Sequence, residues 1–112
     1  MIRPAANRLE LTGTLLERGV LRYTPAGLPA LELRLGHESE QIEAEKPRKV
    51  ECEMACLALG PTALLLKDAK PGDMLALTGF IAARSVKSKS PVLHVTKLEF
   101  LEGNENGIQT QE

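Results

Sequence analysis

Tryptophan is absent from these 112 residues, and the aromatic side chains stop at Tyr23, Phe80 and Phe100. Any core must therefore be aliphatic, and any platform for stacking nucleic-acid bases is thin. Cysteine is scarce as well. Cys52 and Cys56 form a C-x3-C pair with neither His37 nor His94 near them in sequence. A structural zinc site asks for about four ligands at recognisable spacing, so the pair reads as two reduced core thiols and no metal or cofactor is expected. Excess charge of one sign is missing: 14 basic residues face 15 acidic ones, for a net charge of −1. No apolar run is long enough to span a bilayer, and no signal peptide is recognisable, which together predict a cytoplasmic protein. Nor is there a G-x-S-x-G, P-loop or G-x-G-x-x-G motif. Carboxylates do occur two apart, at Glu38/Glu40, Glu43/Glu45 and Glu51/Glu53, but in polar segments or on outward strand positions, as solvated surface. Catalysis has no apparatus here, and a non-enzymatic role is expected.

What is present is enough apolar residue, 43%, to bury a core in one domain. The charges are also sorted along the chain. Residues 102–112 hold three acidic side chains and no basic one, so the first 101 residues carry 14 basic against 12 acidic. A mildly basic body precedes a mildly acidic end.

Hydrophobic periodicity supplies the architecture. Residues 1–6 look like a flexible leader, after which Leu9 to Leu15 alternates with the period of a half-buried strand. Gly13 in its middle predicts a bulge or tight bend. Arg18-Gly19 and the run from Tyr23 to Pro29 are turn and loop signals. Leu31, Leu33 and Leu35 alternate with charge in a second strand, and Val50 to Met54 alternates again in a third. Between these two, Glu38 to Lys49 is polar and nearly free of apolar residues, and predicts a mobile loop. Gly60-Pro61-Thr62 is placed to start a short helix through Ala63–Leu66, and Lys70-Pro71-Gly72-Asp73 ends it in a turn. Met74 to Ala83 forms a fourth strand with Leu75, Leu77, Gly79 and Ile81 on one face. The last runs from Val92 to Leu101, with a phase shift between Val95 and Leu98 that predicts a bulge. Five short strands with a short helix or loop between the third and fourth are the layout of an all-β, five-stranded OB-fold Greek-key barrel. An open five-stranded sheet capped by the helix fits the same order. The domain is expected over 7–102, with a disordered acidic tail over 103–112.

Two basic clusters are candidates for binding polyanions. Arg84, Lys87 and Lys89 fall within seven residues that include three serines, between the fourth and fifth strands, where a loop of cations can follow an irregular phosphate backbone. Arg48 and Lys49, beside Lys46, lead into the third strand, while Arg34 on the second strand and Arg22 in the first loop extend the track. Glu32, Glu38, Glu51 and Glu53 lie close by, so the patch is mixed and predicts moderate, strongly salt-dependent affinity. Tyr23 and Phe80 are the stacking candidates, Phe80 by alternating opposite to Leu77, Gly79 and Ile81, and packing at a subunit interface is the rival reading for an outward aromatic. Phe100 belongs to the core.

The ordered set Asn7-Arg8-Leu9, Gly13-Thr14, Pro25 to Pro29, His37-Glu38-Ser39, Gly79-Phe80-Ile81 and Leu93-His94 resembles the primosomal replication protein N (PriB) family across about residues 7–102. That resemblance implies an OB-fold homodimer that binds single-stranded DNA without sequence preference and bridges the PriA helicase and DnaT in replication restart. It also implies DNA contacts at Arg22, Lys87 and Lys89, with Arg84 adjacent. The rival expectations are an OB module that docks primosomal proteins and touches DNA incidentally, and an RNA- or oligosaccharide-binding OB domain.

Overall fold

The computed structural model describes residues 5–101. Strands β1 (Leu9–Arg18), the two-residue β2 (Arg22–Tyr23), β3 (Pro29–Glu43) and β4 (Lys46–Leu59) are followed by helix α1 (Pro61–Leu66), then β5 (Met74–Ala83) and β6 (Pro91–Leu101). β1 pairs with β5, β5 with β6, β6 with β4, β4 with β3, and β3 returns to β1. All of these ladders are antiparallel except β4–β6, so the sheet closes on itself as the five-stranded OB-fold barrel. Closure excludes the open-sheet alternative.

The leucine alternation fills the barrel. Leu15, Leu31, Leu35, Leu66, Leu75, Leu77 and Leu93 are all less than 2% exposed, with Cys56, Ala58 and Val95 packed among them. At about 1.5–3 kcal/mol for each large aliphatic side chain buried, these residues supply most of the drive for collapse, with Phe100 the one aromatic packed against them. Helix α1 plugs one end. Gly60 enters it at φ 75°, Pro61 occupies the first turn, and Ala63 and Leu66 point into the core, followed by buried Ala69.

A small barrel must bend its strands sharply. The expected bulge in the last strand lies at Thr96, where the β5–β6 register slips by one residue. Of the bulge or tight bend predicted at Gly13, the bulge falls three residues later, at Leu16, where the β1–β3 register slips. Gly13 serves a close crossing instead, since a Cβ there would overlap the Gly36 carbonyl oxygen of β3. Gly79 has the same role against the His94 carbonyl.

The segment from Glu38 to Lys49 is not a loop. β3 and β4 stay paired from Ala30↔Leu59 out to Glu43↔Lys46, forming a two-stranded arm that outruns the barrel. Ala44 and Glu45 close it with φ of 53° and 69°, the left-handed pair of a two-residue hairpin turn. The arm carries no apolar alternation because neither of its faces has a core to meet. The expected leader over 1–6 and the disordered tail over 103–112 fall largely on residues 1–4 and 102–112, outside the described residues. Ala5 and Ala6 are exposed and outside any strand. Among the described residues no helix is long and apolar enough to cross a membrane.

Candidate nucleic-acid interface

Strand alternation that sends leucine inward sends another set of side chains outward. On the outer face the register aligns Phe80 of β5, His94 of β6, Leu57 of β4 and Glu32 of β3 in one row across four strands, with Arg34 opposite Ala55 beside it. The short Ala55 and the half-buried Leu57 leave a depression there. It opens as a groove of about 480 Å³, walled by Arg18 and Glu17 from β1, Arg22 from β2, Arg34 and Glu32 from β3, and Arg84 beyond β5, with His94 and Val92 along its floor. Four arginines face two glutamates around an apolar base.

These arginines are not equivalent. Arg18 donates from Nε to the Ala69 carbonyl at 2.8 Å and from Nη1 to the Gly19 carbonyl at 3.2 Å, so it braces the groove wall. Arg22 meets Glu32 at 3.2 Å, and Arg34 lies 3.5 Å from both Glu17 and Glu53. The side chains in all three pairs are 40% exposed or more, where ion pairs contribute about 0–1 kcal/mol and exchange readily for phosphate. Arg84 has no carboxylate within salt-bridge distance among the described residues. Beneath the floor lies the Cys56 thiol, pushed up to about 12 by burial, which the nearby Arg34 charge only partly offsets. It is a packing group, and at neutral pH it is not a nucleophile.

Residues 7–97 match the family described as "Another single-strand binding protein family". Over 98 residues, the chain is 46% identical to replication restart protein PriB of Bordetella pertussis, covering 88% of this chain and 92% of that protein. The chain belongs to the PriB family. The solved structure of PriB from Ralstonia solanacearum, 40% identical, matches with a TM-score of 0.77 over 86% of this chain and 98% of its own. The wild-type single-stranded DNA binding protein from Thermus aquaticus, 27% identical, matches with a TM-score of 0.70 over 88% of this chain and 51% of its own.

In this PriB-family barrel the loop from 84 to 90 is a braced turn. The Arg84 amide donates to the Ser90 carbonyl at 2.9 Å, the Ser85 amide to the Ser88 carbonyl at 3.0 Å, and the Ser88 amide to Ser85 Oγ at 3.0 Å. The serines thus fold the turn, leaving Lys87 and Lys89 exposed and without a carboxylate partner among the described residues. Arg22, Arg34 and Arg84 come together at the groove, with Lys87 and Lys89 on the turn that continues from Arg84. Arg48 and Lys49 are placed elsewhere, on the projecting arm, where Arg48 pairs with Glu43 at 2.9 Å and Lys49 with Glu51 at 3.5 Å. Being adjacent in one strand, they point to opposite faces of the arm. Glu38 and Glu51 stand directly opposite each other there, with like charges side by side.

The aromatic candidates separate as well. Tyr23 is exposed on β2, Phe100 packs against the core as expected, and Phe80 points outward as its alternation predicted. His94, given no stacking role in the sequence reading, stacks on Phe80 with ring centroids 5.1 Å apart and planes 11° apart. Its signal was the inward pair Leu93 and Val95 on either side, which turns His94 out. The expectation of two core thiols is half right: Cys56 is buried, whereas Cys52 is exposed. Cys52 faces His37 at the root of the arm, where the barrel no longer covers this side of the strand. The His37 Nδ1 lies 2.7 Å from the Thr12 carbonyl, which can only accept, so Nδ1 carries the proton, and Nε2 lies 2.8 Å from the Ser39 hydroxyl. No cluster of three or more His, Cys, Asp or Glu side chains suited to a metal occurs among the described residues.

Proposed function

We propose that this protein is a non-catalytic replication-restart factor that holds single-stranded DNA without sequence preference in the arginine-walled groove of its barrel. The observation that carries this reading is the groove itself: cationic walls from four separate segments stand around a floor that is apolar and partly aromatic. Phosphates attract the walls, unpaired bases shed water onto the floor, and neither contact reads base identity. Arg22, Arg34 and Arg84 grip phosphate at the walls, and Lys87 and Lys89 extend the grip along the turn. Arg48 and Lys49 meet the strand only if it leaves the groove along the arm. Family membership supports a homodimer that works in the cytoplasm and bridges PriA and DnaT.

Anisotropy of a labelled oligo-dT strand across a salt series tests the reading. About five neutralised phosphates give a slope of log affinity against log salt of roughly −3 to −4. A flat response overturns it. Glu17, Glu32 and Glu53 already occupy two of the groove arginines, which favours a second reading in which the barrel chiefly docks primosomal proteins. Affinity for PriA far above that for oligo-dT at matched salt would select that reading.

A further inference from the structure

Phe80 is 40% exposed on the outer face of β5, where its same-face strand neighbours are Thr78 and Ala82. An outward phenylalanine does nothing for the core, and its one aromatic partner, His94, comes from the neighbouring strand β6 at the opposed register position. Rings with centroids 5.1 Å apart and planes 11° apart cannot lie flat, edge to edge; they stand as a parallel, offset stack. His94 also forms part of the groove floor, so this stack is continuous with the cavity walled by Arg22, Arg34 and Arg84. Arg84 shares Phe80's strand parity, four residues further along, or about 13 Å at the rise of an extended chain.

We propose that the Phe80–His94 pair is the base-stacking platform of the groove: an unpaired base extends the two-ring stack while Arg84 holds phosphate beyond it. This rests on the single-strand-binding reading above and gives it a stacking site in a chain without tryptophan. The chemistry selects a planar heterocycle, because a parallel stack presents a flat π surface within a cationic rim, and a base brings both a π face and an adjoining phosphate.

The test compares Phe80→Leu, which keeps apolar bulk but loses the π face, with His94→Ala and His94→Phe. Each full-length variant is titrated with labelled oligo-dT and with an abasic strand of equal length at matched salt. Phe80→Leu and His94→Ala should weaken oligo-dT binding at least about fivefold, the factor equivalent to about 1 kcal/mol. Both should leave abasic-strand affinity and the salt slope unchanged, and His94→Phe should bind oligo-dT within about twofold of the unsubstituted protein. Unchanged oligo-dT affinity in Phe80→Leu and His94→Ala, or equal losses on both strands, overturns the platform while leaving the phosphate-binding reading standing. Failure of the unsubstituted protein to bind oligo-dT at low salt overturns both.

Discussion

Glu32 is the residue whose removal should most improve DNA binding. Its carboxylate lies 3.2 Å from Arg22, with both side chains more than half exposed. Coulomb attraction at that separation in bulk water is about 1.3 kcal/mol, and measured exposed pairs contribute about 0–1 kcal/mol once side-chain ordering is counted. Glu32→Gln should therefore cost little stability, because the Glu32 backbone carbonyl still accepts from the Gly19 amide at 2.8 Å whatever the side chain. Two changes favour the ligand. One of the two negative charges walling the groove disappears, and Arg22 becomes available to phosphate. Sparing the strand the exchange of an exposed pair that contributes about 0–1 kcal/mol, and removing one repulsive charge, together favour binding by ~1 kcal/mol, close to fivefold in affinity. The expected result is oligo-dT binding about fivefold tighter at about 0.1 M salt, a slope that stays at roughly −3 to −4 because Arg22 is already among the phosphate contacts, and a urea-unfolding free energy within about 1 kcal/mol of the unsubstituted value. No tightening at low salt would refute the claim that Arg22 grips phosphate at the groove wall.

The other expectations are independent of that one. Lys87→Ala combined with Lys89→Ala should make the salt slope shallower by about 1.4 and weaken binding to all sequences alike; an unchanged slope clears the turn of any role. Gly79→Ala must displace the His94 backbone and should lower the unfolding free energy by about 1–3 kcal/mol or more in urea, whereas Gly19→Ala, with its nearest outside contact at 3.5 Å, should stay within about 0.5 kcal/mol. With an aromatic disulfide reagent at pH 8 the native protein should titrate one thiol, Cys52, and the unfolded protein two. A group pushed up to about 12 is about one part in ten thousand thiolate at that pH, and prompt reaction of both thiols would contradict the buried placement of Cys56. The same shift leaves stability unaffected by Cys56 below pH 9. Above it stability falls, as the unfolded thiol ionises while the folded one stays protonated up to about pH 12.

Periodicity made the barrel legible wherever a strand had one face on the core. Met74–Ala83 emerged with its observed limits because Leu75, Leu77, Gly79 and Ile81 mark every inward position, and the slip at Thr96 showed in the broken phase between Val95 and Leu98. The arm was opaque for the converse reason. Beyond Leu35 and Met54 the hairpin leaves the barrel, so no burial imprints an alternation, and Ala44-Glu45 adopts a turn that Asn-Gly usually announces. Gly13 illustrates a subtler failure, since a glycine that permits a close crossing and one that permits a bulge look identical in a string of letters. Cys52 was misplaced because its strand continues past the core.

The candidate site was legible as a set of cations but not as an arrangement. Arg22, Arg34 and Arg84 are up to 62 positions apart in the chain, and only ring closure through the parallel β4–β6 ladder brings them around one groove. Closure also explains how a chain with net charge −1 can present a cationic wall. Alternation sends charged residues outward in both signs, but β3 and β4 hold theirs along a long hairpin, and its distal half carries Glu38, Glu40, Glu43, Glu45 and Glu51 away from the barrel. The carboxylates left at the groove are those already paired with Arg22 and Arg34. At physiological salt the field decays over about 8 Å, so a phosphate inside the groove responds to the local walls and not to the sum over the chain. Placing a carboxylate on the groove face by Ala55→Glu, opposite Arg34, should therefore weaken oligo-dT binding by about fivefold or more, whereas Gln41→Glu at the far end of the arm, with the same change in net charge, should leave it within about twofold. Equal effects from the two substitutions, measured by anisotropy at about 0.15 M salt, would show that overall charge governs binding and that the groove does not.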